Sequence, residues 1–385
     1  MPGKKIIGLT GPFGSGCSYI AKKILSSKGY KYISLSEILR SAITDGEYSR
    51  SDLQDKGNET RAQYGAGYLA DKAIEIIDST DSDKFVIDSI RNTHEIDSLK
   101  KHFPEFYLLA VWASKDTRWE RVRDKYKGDL SVFEKDDKRD KDEKDENGQQ
   151  ITLCYQMADV IVLNETKIHA EQSDDFVTLK KIVERYVDLV EKNAMYEPTE
   201  METLMAMAYA NSMRSSCTQR KVGALIIDEY GNVFSSGYNE VPVLERSCKR
   251  EYGMCYRKFL RKDINEKIQG ELKDPEVSSK ISSIVKNNSK MLDYCRALHA
   301  EENAIVNMAR LSVSTNHSKA TLYTTTYPCN LCANKIAQIG IKKVIYYEPY
   351  PQEEAKKTLA AHNVSQVPFE GVTFNSYFKF MEVLR

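Results

Sequence analysis

No apolar run in this 385-residue chain approaches the ~18 residues of a membrane-spanning helix. The opening MPGKKIIGLTG carries no secretory hydrophobic stretch and reads as the start of a strand, so a reducing, cytoplasmic address is expected. Neither charge sign is in excess: 56 Lys and Arg face 56 Asp and Glu. Nothing global therefore favours a nucleic-acid or membrane partner. Cysteine is scarce, eight in all, which excludes a disulfide scaffold. Hydrophobic residues make up 41%, enough for two cores, and the length suits two domains.

The few cysteines are not scattered. Cys329 and Cys332 stand in Pro328-Cys329-Asn330-Leu331-Cys332, thirty residues after His299-Ala300-Glu301. One imidazole and two thiolates can hold Zn2+ and leave its fourth position open, the mark of a catalytic rather than a structural site. Glu301 is near enough to touch water there without being a ligand. Alone, C-x-x-C reads equally as a redox pair or half of a structural zinc site. Both halves, in order and with glutamate at that offset, give the H-x-E…P-C-x-x-C pattern of zinc-dependent nucleobase deaminases. The chemistry expected of it is simple. Zinc lowers the pKa of water from about 16 to about 7, Glu301 carries one proton of that water to the ring nitrogen and the second to the departing amine, and cytosine becomes uracil. A helix start under the C-x-x-C favours thiolate over thiol, and Pro328 suits the approach to it.

The first half carries a different signal. Residues 4–10, KKIIGLT, read as a buried strand, followed by Gly11-Pro12-Phe13-Gly14-Ser15-Gly16-Cys17-Ser18 and a helix. This is the phosphate-binding pattern G-x-x-x-x-G-K-[ST], except that Cys17 replaces lysine. The backbone of Gly11, Gly14, Ser15, Gly16, Cys17 and Ser18 can still cradle phosphate, with a nucleoside triphosphate and Mg2+ as candidate ligands. The charge used in phosphoryl transfer is missing. A nucleotide-binding or purely structural loop is expected, not an active kinase. Strands at 32–36, 85–88, 106–113 and 158–164 alternate with helices, implying a parallel sheet covered on both faces. Asp88 ends one strand as a magnesium-orienting acid would, and Arg91 follows it. From Glu134 to Glu146 every residue is charged, which reads as a solvated, mobile segment, with a lid as the alternative. The first domain is expected to span 1–194 and the second 195–385.

Through GPFGSGCS, LQDKGNETR, VIDSIRN and ADVIVLNE, residues 4–190 resemble P-loop nucleoside monophosphate kinases and dephospho-coenzyme A kinase. The second half offers CTQRK leading into VGALIID, a hairpin turn at Gly231-Asn232, VFSSGYNEVP, HAEENAI, TTTYPCNLCANKIAQIGIKKVIYYEPY and a helix at 353–361. It resembles deoxycytidylate deaminases. That resemblance implies an α/β fold, the cytidine deaminase-like α/β/α sandwich with a mixed five-stranded sheet. It also implies substrate contacts at Asn239, Ala300, Asn303 and Tyr350, with Arg220 and Lys221 near the phosphate or on a solvated face. Glu240 stands where the family has a small residue. In the insertion Arg246–Lys290, Cys248 and Cys255, with Cys295, could hold a second, structural Zn2+ such as related deaminases carry. Its fourth ligand is open, Cys217 being one guess, and three free thiols are the alternative.

The pairing of the two halves resembles the two-domain cytidylate deaminases of antiphage defence. This implies conversion of dCMP or dCTP to the uracil nucleotide, nucleotide depletion, a homo-oligomer, and control through the P-loop half by a nucleotide or an inhibitory RNA. A housekeeping dCMP deaminase for thymidylate supply would need the same active site. A deaminase of RNA or single-stranded DNA should show a basic groove with interleaved aromatics, and the balanced charge argues against it.

Overall fold

The computed structural model describes residues 3–41, 49–141, 148–166, 173–272, 274–288, 294–310, 317–349 and 352–382. Two compact units result: Met1–Glu202 with Glu370–Arg385, and Thr203–Phe369. Among the described residues no helix is long and apolar enough to cross a membrane.

In the first unit, β1 (Lys5–Thr10), β2 (Lys31–Ser34), β3 (Lys84–Ile90), β4 (Phe106–Trp112) and β5 (Val160–Leu163) form a parallel sheet in the order 2-3-1-4-5. Ile6 pairs with Phe85 on one side and Phe106 on the other. Runs such as FYLLAVW lack alternation because central parallel strands are buried on both faces. The expected single boundary at 194/195 needs correcting. The segment Gly371–Val372 pairs antiparallel with β5, and the helix Phe374–Glu382 follows it into the first unit. An open β5 edge would leave its N–H and C=O groups unpaired. The returning tail closes it: Leu163 N donates to Glu370 Oε1 (2.8 Å), Thr373 Oγ1 to the Ala158 carbonyl (2.6 Å) and Ser376 Oγ to Asp159 Oδ1 (2.5 Å).

The charged run also departs from expectation. Its described part lies in the helix Leu130–Lys141, and Asp136, Asp137 and Asp140 are buried. They are matched by Tyr126, Arg118 and the pair Arg50–Arg91 respectively, so partners distant in sequence take the place of solvent. Residues 142–146 of the run lie outside the described residues.

In the second unit, β6 (Gly223–Ile227), β7 (Val233–Tyr238), β8 (Thr321–Thr326), β9 (Lys343–Glu348) and β10 (Ser365–Pro368) form a sheet in the order 10-9-8-6-7. β6 runs antiparallel to both neighbours, whereas β8, β9 and β10 are parallel, so the sheet is mixed. Ala224 and Ile226 of β6 share a core with the helices Ala300–Arg310, Asn330–Gln338 and Glu353–Ala361. Gly223 points the other way and meets the helix Glu200–Ser212, whose Ala208 carbonyl lies 1.9 Å from where a Cβ would sit.

Candidate metal centre and its surroundings

The site is built where two helices begin. The helix Ala300–Arg310 lies directly on β7 because Gly237 has no side chain. A Cβ there would sit 2.2 Å from the Ala300 carbonyl and 2.3 Å from the Ala304 nitrogen. Three side-chain bonds hold the contact: Asn303 Nδ2 to the Tyr238 carbonyl (2.9 Å), Asn307 Nδ2 to that of Ser236 (2.9 Å), and Ser235 Oγ to that of Ala304 (2.6 Å). His299 precedes the helix, its carbonyl accepting from Asn303 N at 2.8 Å. The second helix, Asn330–Gln338, follows β8, with Cys329 at its N-cap and Cys332 buried in its first turn.

These two helix starts bring His299, Cys329 and Cys332 together, all their ligand atoms lying within 4.8 Å of one another. His299 Nδ1 is 3.2 Å from Cys329 Sγ and 3.4 Å from Cys332 Sγ. Zn–S bonds of about 2.3 Å and Zn–N bonds of about 2.0 Å at tetrahedral angles separate nitrogen from sulfur by about 3.5 Å. The donor set therefore fits Zn2+ in both chemistry and spacing. The hydrogen bond from Cys332, with a further one from His299, lowers the Cys329 thiol below its ordinary value. The bond to Cys329 in turn raises the His299 imidazole.

Glu301 is the acid beside the cluster. It is 3% exposed, with Oε2 3.7 Å from Cys332 Sγ and Oε1 3.4 Å from the Thr324 hydroxyl. Burial raises its pKa above the ordinary carboxylate value, which suits a group that must take up and release a proton. Thr324 was not singled out from sequence. Its signal was strand parity, since in TLYTTT it shares a face with Leu322, a member of the core under the helices.

The other expected contacts fall in different places. Ala300 is fully buried in the first turn beside His299. The Asn239 amide is taken up by backbone: Oδ1 accepts from Val222 N (2.7 Å) and Nδ2 donates to the Arg220 carbonyl (2.9 Å). It thus shapes the loop that presents Arg220. Asn303 likewise positions its helix. Arg220 pairs with Glu348 at the end of β9, a partner sequence reasoning did not name; burial lowers its pKa, while Tyr209 and Glu301 act to raise it. Lys221 Nζ turns to the Met213 carbonyl at 3.1 Å. Tyr350 lies outside the described residues.

Cys217, Cys248, Cys255 and Cys295 line one small cavity. Burial pushes the Cys295 thiol up, and the nearby Cys217 and Cys248 push it further. Among the described residues these four are not drawn as close as the His299 cluster.

In the first unit, Gly11 to Ser18 line a cavity of about 400 Å3 together with Asp88, Arg91 and Arg121. Ser18 Oγ donates to Asp88 Oδ2 at 2.5 Å. Gly16 adopts φ 100°, and a Cβ on it would lie 2.2 Å from Asn164 Nδ2. Burial, then Asp88, pushes the Cys17 thiol up to about 12, so it brings no charge to the lysine position.

One imidazole and two sulfurs suited to Zn2+, with a buried carboxylate beside them, define a zinc-dependent deaminase. Residues 198–348 match the family of cytidine and deoxycytidylate deaminase zinc-binding regions. The chain is 35% identical over 159 residues to the deoxycytidylate deaminase of Enterobacteria phage T2, spanning 40% of this chain and 81% of that one. It is 26% identical over 389 residues to the deoxycytidylate deaminase of Schizosaccharomyces pombe, spanning 96% of this chain and 97% of that protein. A UPF0200 protein of Methanothermobacter thermautotrophicus is 28% identical over 187 residues, 47% of this chain and 92% of its own length. The chain belongs to the deoxycytidylate deaminase family.

Proposed function

We propose that the second unit deaminates a free deoxycytidine nucleotide, dCMP, to dUMP. The observation that carries this reading is buried Glu301 set against His299, Cys329 and Cys332. The family's deoxycytidylate deaminases support the substrate. His299, Cys329 and Cys332 hold Zn2+, which supplies the Lewis acidity that makes water a nucleophile near neutral pH. Glu301 accepts one proton from the attacking water and delivers it to the ring nitrogen, then takes the second from the oxygen now bound to the ring and delivers it to the amine, which leaves as ammonia. Thr324 orients its carboxylate. Cys248, Cys255 and Cys295, with Cys217 beside them in the second cavity, are the candidate ligands of a structural Zn2+, which would have to draw their sulfurs together. The glycine loop of the first unit holds a nucleoside triphosphate with Mg2+ and regulates turnover; Ser18 beside Asp88 and neutral Cys17 support binding without phosphoryl transfer.

A first unit of this kind is not in itself a mark of antiphage defence, because the likeness to the S. pombe deaminase spans nearly the whole chain. Defence by nucleotide depletion would show as efficient turnover of dCTP. The test is ammonia release from dCMP, dCTP, CMP, CTP, cytidine and a cytosine-bearing oligonucleotide, with and without ATP, GTP and dTTP. Turnover of dCMP that is absent in Glu301→Ala supports the reading. Turnover of the oligonucleotide alone overturns it.

A further inference from the structure

Glu202 is 1% exposed, and its carboxylate serves two separate stretches of chain. Oε2 accepts from Thr199 N at 2.7 Å, and Glu202 N donates back to Thr199 Oγ1 at 3.2 Å. This reciprocal pair is a capping box that starts the helix Glu200–Ser212. A capping glutamate needs only its own helix and ordinarily stays in water. This one gives Oε1 to Val372 N of the returning tail at 2.8 Å, and Arg185 reaches both oxygens, Nη1 at 3.3 Å and Nη2 at 3.1 Å. The tail lies directly on it because residue 371 has no side chain. A Cβ there would sit 2.5 Å from Glu202 Cγ and 2.8 Å from Oε1, at φ 143°.

Each side of this contact leads to a functional site. On one side, Glu370 of the tail holds the N–H of Leu163, the last residue of β5, and Asn164 follows. Asn164 Nδ2 donates to the Ser15 carbonyl of the glycine loop at 2.8 Å. Arg121 joins the same two segments, Nη2 to the Asn164 carbonyl at 2.9 Å and Nη1 to the Gly14 carbonyl at 3.0 Å. On the other side, the helix Glu200–Ser212 runs on from the first unit into the second, to which its residues from Thr203 belong. Its Ala208 carbonyl lies against Gly223, and Asn211 Nδ2 donates to the Gly237 carbonyl at 2.7 Å. Gly237 is the residue on which the helix Ala300–Arg310 rests, immediately after His299. Hydrogen-bond networks joined by rigid helices are the physical carriers of coupling between distant sites.

We propose that Glu202 is a coupling residue: it fastens the docked tail to the start of the helix Glu200–Ser212, so that occupancy of the glycine loop, felt at Asn164, reaches the strand under the zinc-site helix. This rests on the first unit holding a nucleotide and regulating turnover, as proposed above. Glu202 lines neither the glycine-loop cavity nor the zinc cluster. It acts through the helix it caps and is a positioning residue.

Hydrogen exchange of the full-length wild type, Glu202→Gln and Gly371→Ala is followed with and without saturating ATP and Mg2+. ATP affinity, zinc content and dCMP turnover are measured beside it. In the wild type, ATP is expected to change exchange along residues 203–212 by about fivefold or more. Both variants should keep zinc, and should hold ATP affinity and the basal rate within about twofold. They should lose the change at 203–212 and any effect of ATP on turnover. A glutamate that only stabilises the fold would lower the melting temperature and leave the ATP response intact, which overturns the proposal. ATP binding to the wild type without a change at 203–212 overturns it as well, and decides alone should neither variant fold. If the wild type binds no ATP, Gly16→Ala becomes the perturbation, because its methyl is driven against Asn164. Its effect on exchange at 203–212 should then vanish when Glu202→Gln is added, and no effect there sinks the idea. Turnover that ignores ATP while 203–212 responds would defeat the regulation proposed above and leave the coupling standing.

Discussion

The zinc cluster of the second unit and the glycine loop of the first use one device differently. Both place a helix start at a strand end, where free N–H groups favour negative charge. In the second unit the chemical set is complete: two sulfurs, one imidazole and a buried carboxylate within contact of each other. In the first unit the glycine loop carries Cys17, a thiol that burial holds neutral, where the phosphate-binding pattern has lysine, while a buried aspartate from the chain itself pairs with the neighbouring arginines. A cradle made of backbone tolerates a change of side chain, whereas a metal site loses everything with one ligand.

That contrast is broken most severely by removing a zinc ligand. His299→Ala or Cys329→Ala is expected to lose both metal and turnover, read by metal analysis beside ammonia release. Glu301→Gln comes next. Zinc should stay and kcat should fall by about 10²–10⁴-fold, the range for a lost proton-transfer group. Loss of zinc from that variant would make Glu301 a structural residue and dissolve the comparison. Gly237→Ala tests how the site is held. With carbonyl and amide atoms 2.2 and 2.3 Å from the new methyl, the helix Ala300–Arg310 must shift, costing about 1–3 kcal/mol in stability and more in turnover than in zinc affinity.

Much of this was legible in the sequence because the two motifs are local. His299 to Glu301, and Cys329 to Cys332, fix their geometry within a single helical turn. The Gly231-Asn232 turn marked the antiparallel hairpin of β6 and β7, while the mixed five-stranded sheet was expected from the resemblance to deoxycytidylate deaminases. Other features depend on partners far away. A run of charge at 134–146 reads as solvated until Arg50, Arg91 and Arg118 are known to face it. A two-residue strand at 371–372 carries no pattern of its own, and its pairing with β5 is settled by an edge more than two hundred residues earlier. Asn239 and Asn303 show the limit for polar residues. An amide can serve a ligand or the backbone with the same atoms, and here the backbone takes both atoms of Asn239 and the Nδ2 of Asn303.

The cysteine quartet separates the two kinds of zinc. If Cys217, Cys248, Cys255 and Cys295 hold a structural ion, the protein carries two zinc ions per chain, and Cys248→Ser should lower that to one. The helices that follow it would lose an anchor, so melting should fall while the chemistry at Glu301 is spared, because none of the four touches it. One zinc per chain in both proteins would make the quartet free thiols.

The smallest effect is expected at the glycine loop. Gly16→Ala puts a methyl 2.2 Å from Asn164 Nδ2 at a backbone angle that glycine alone adopts freely. The cradle should distort and lose nucleotide, yet zinc content and the basal rate with dCMP should stay within about twofold, since no ligand of the metal is involved. What should change is the response of that rate to added ATP, GTP or dTTP. A variant that binds no nucleotide but responds as wild type would move regulation out of the first unit. A variant that loses basal turnover would show that the cradle supports the chemistry rather than tuning it.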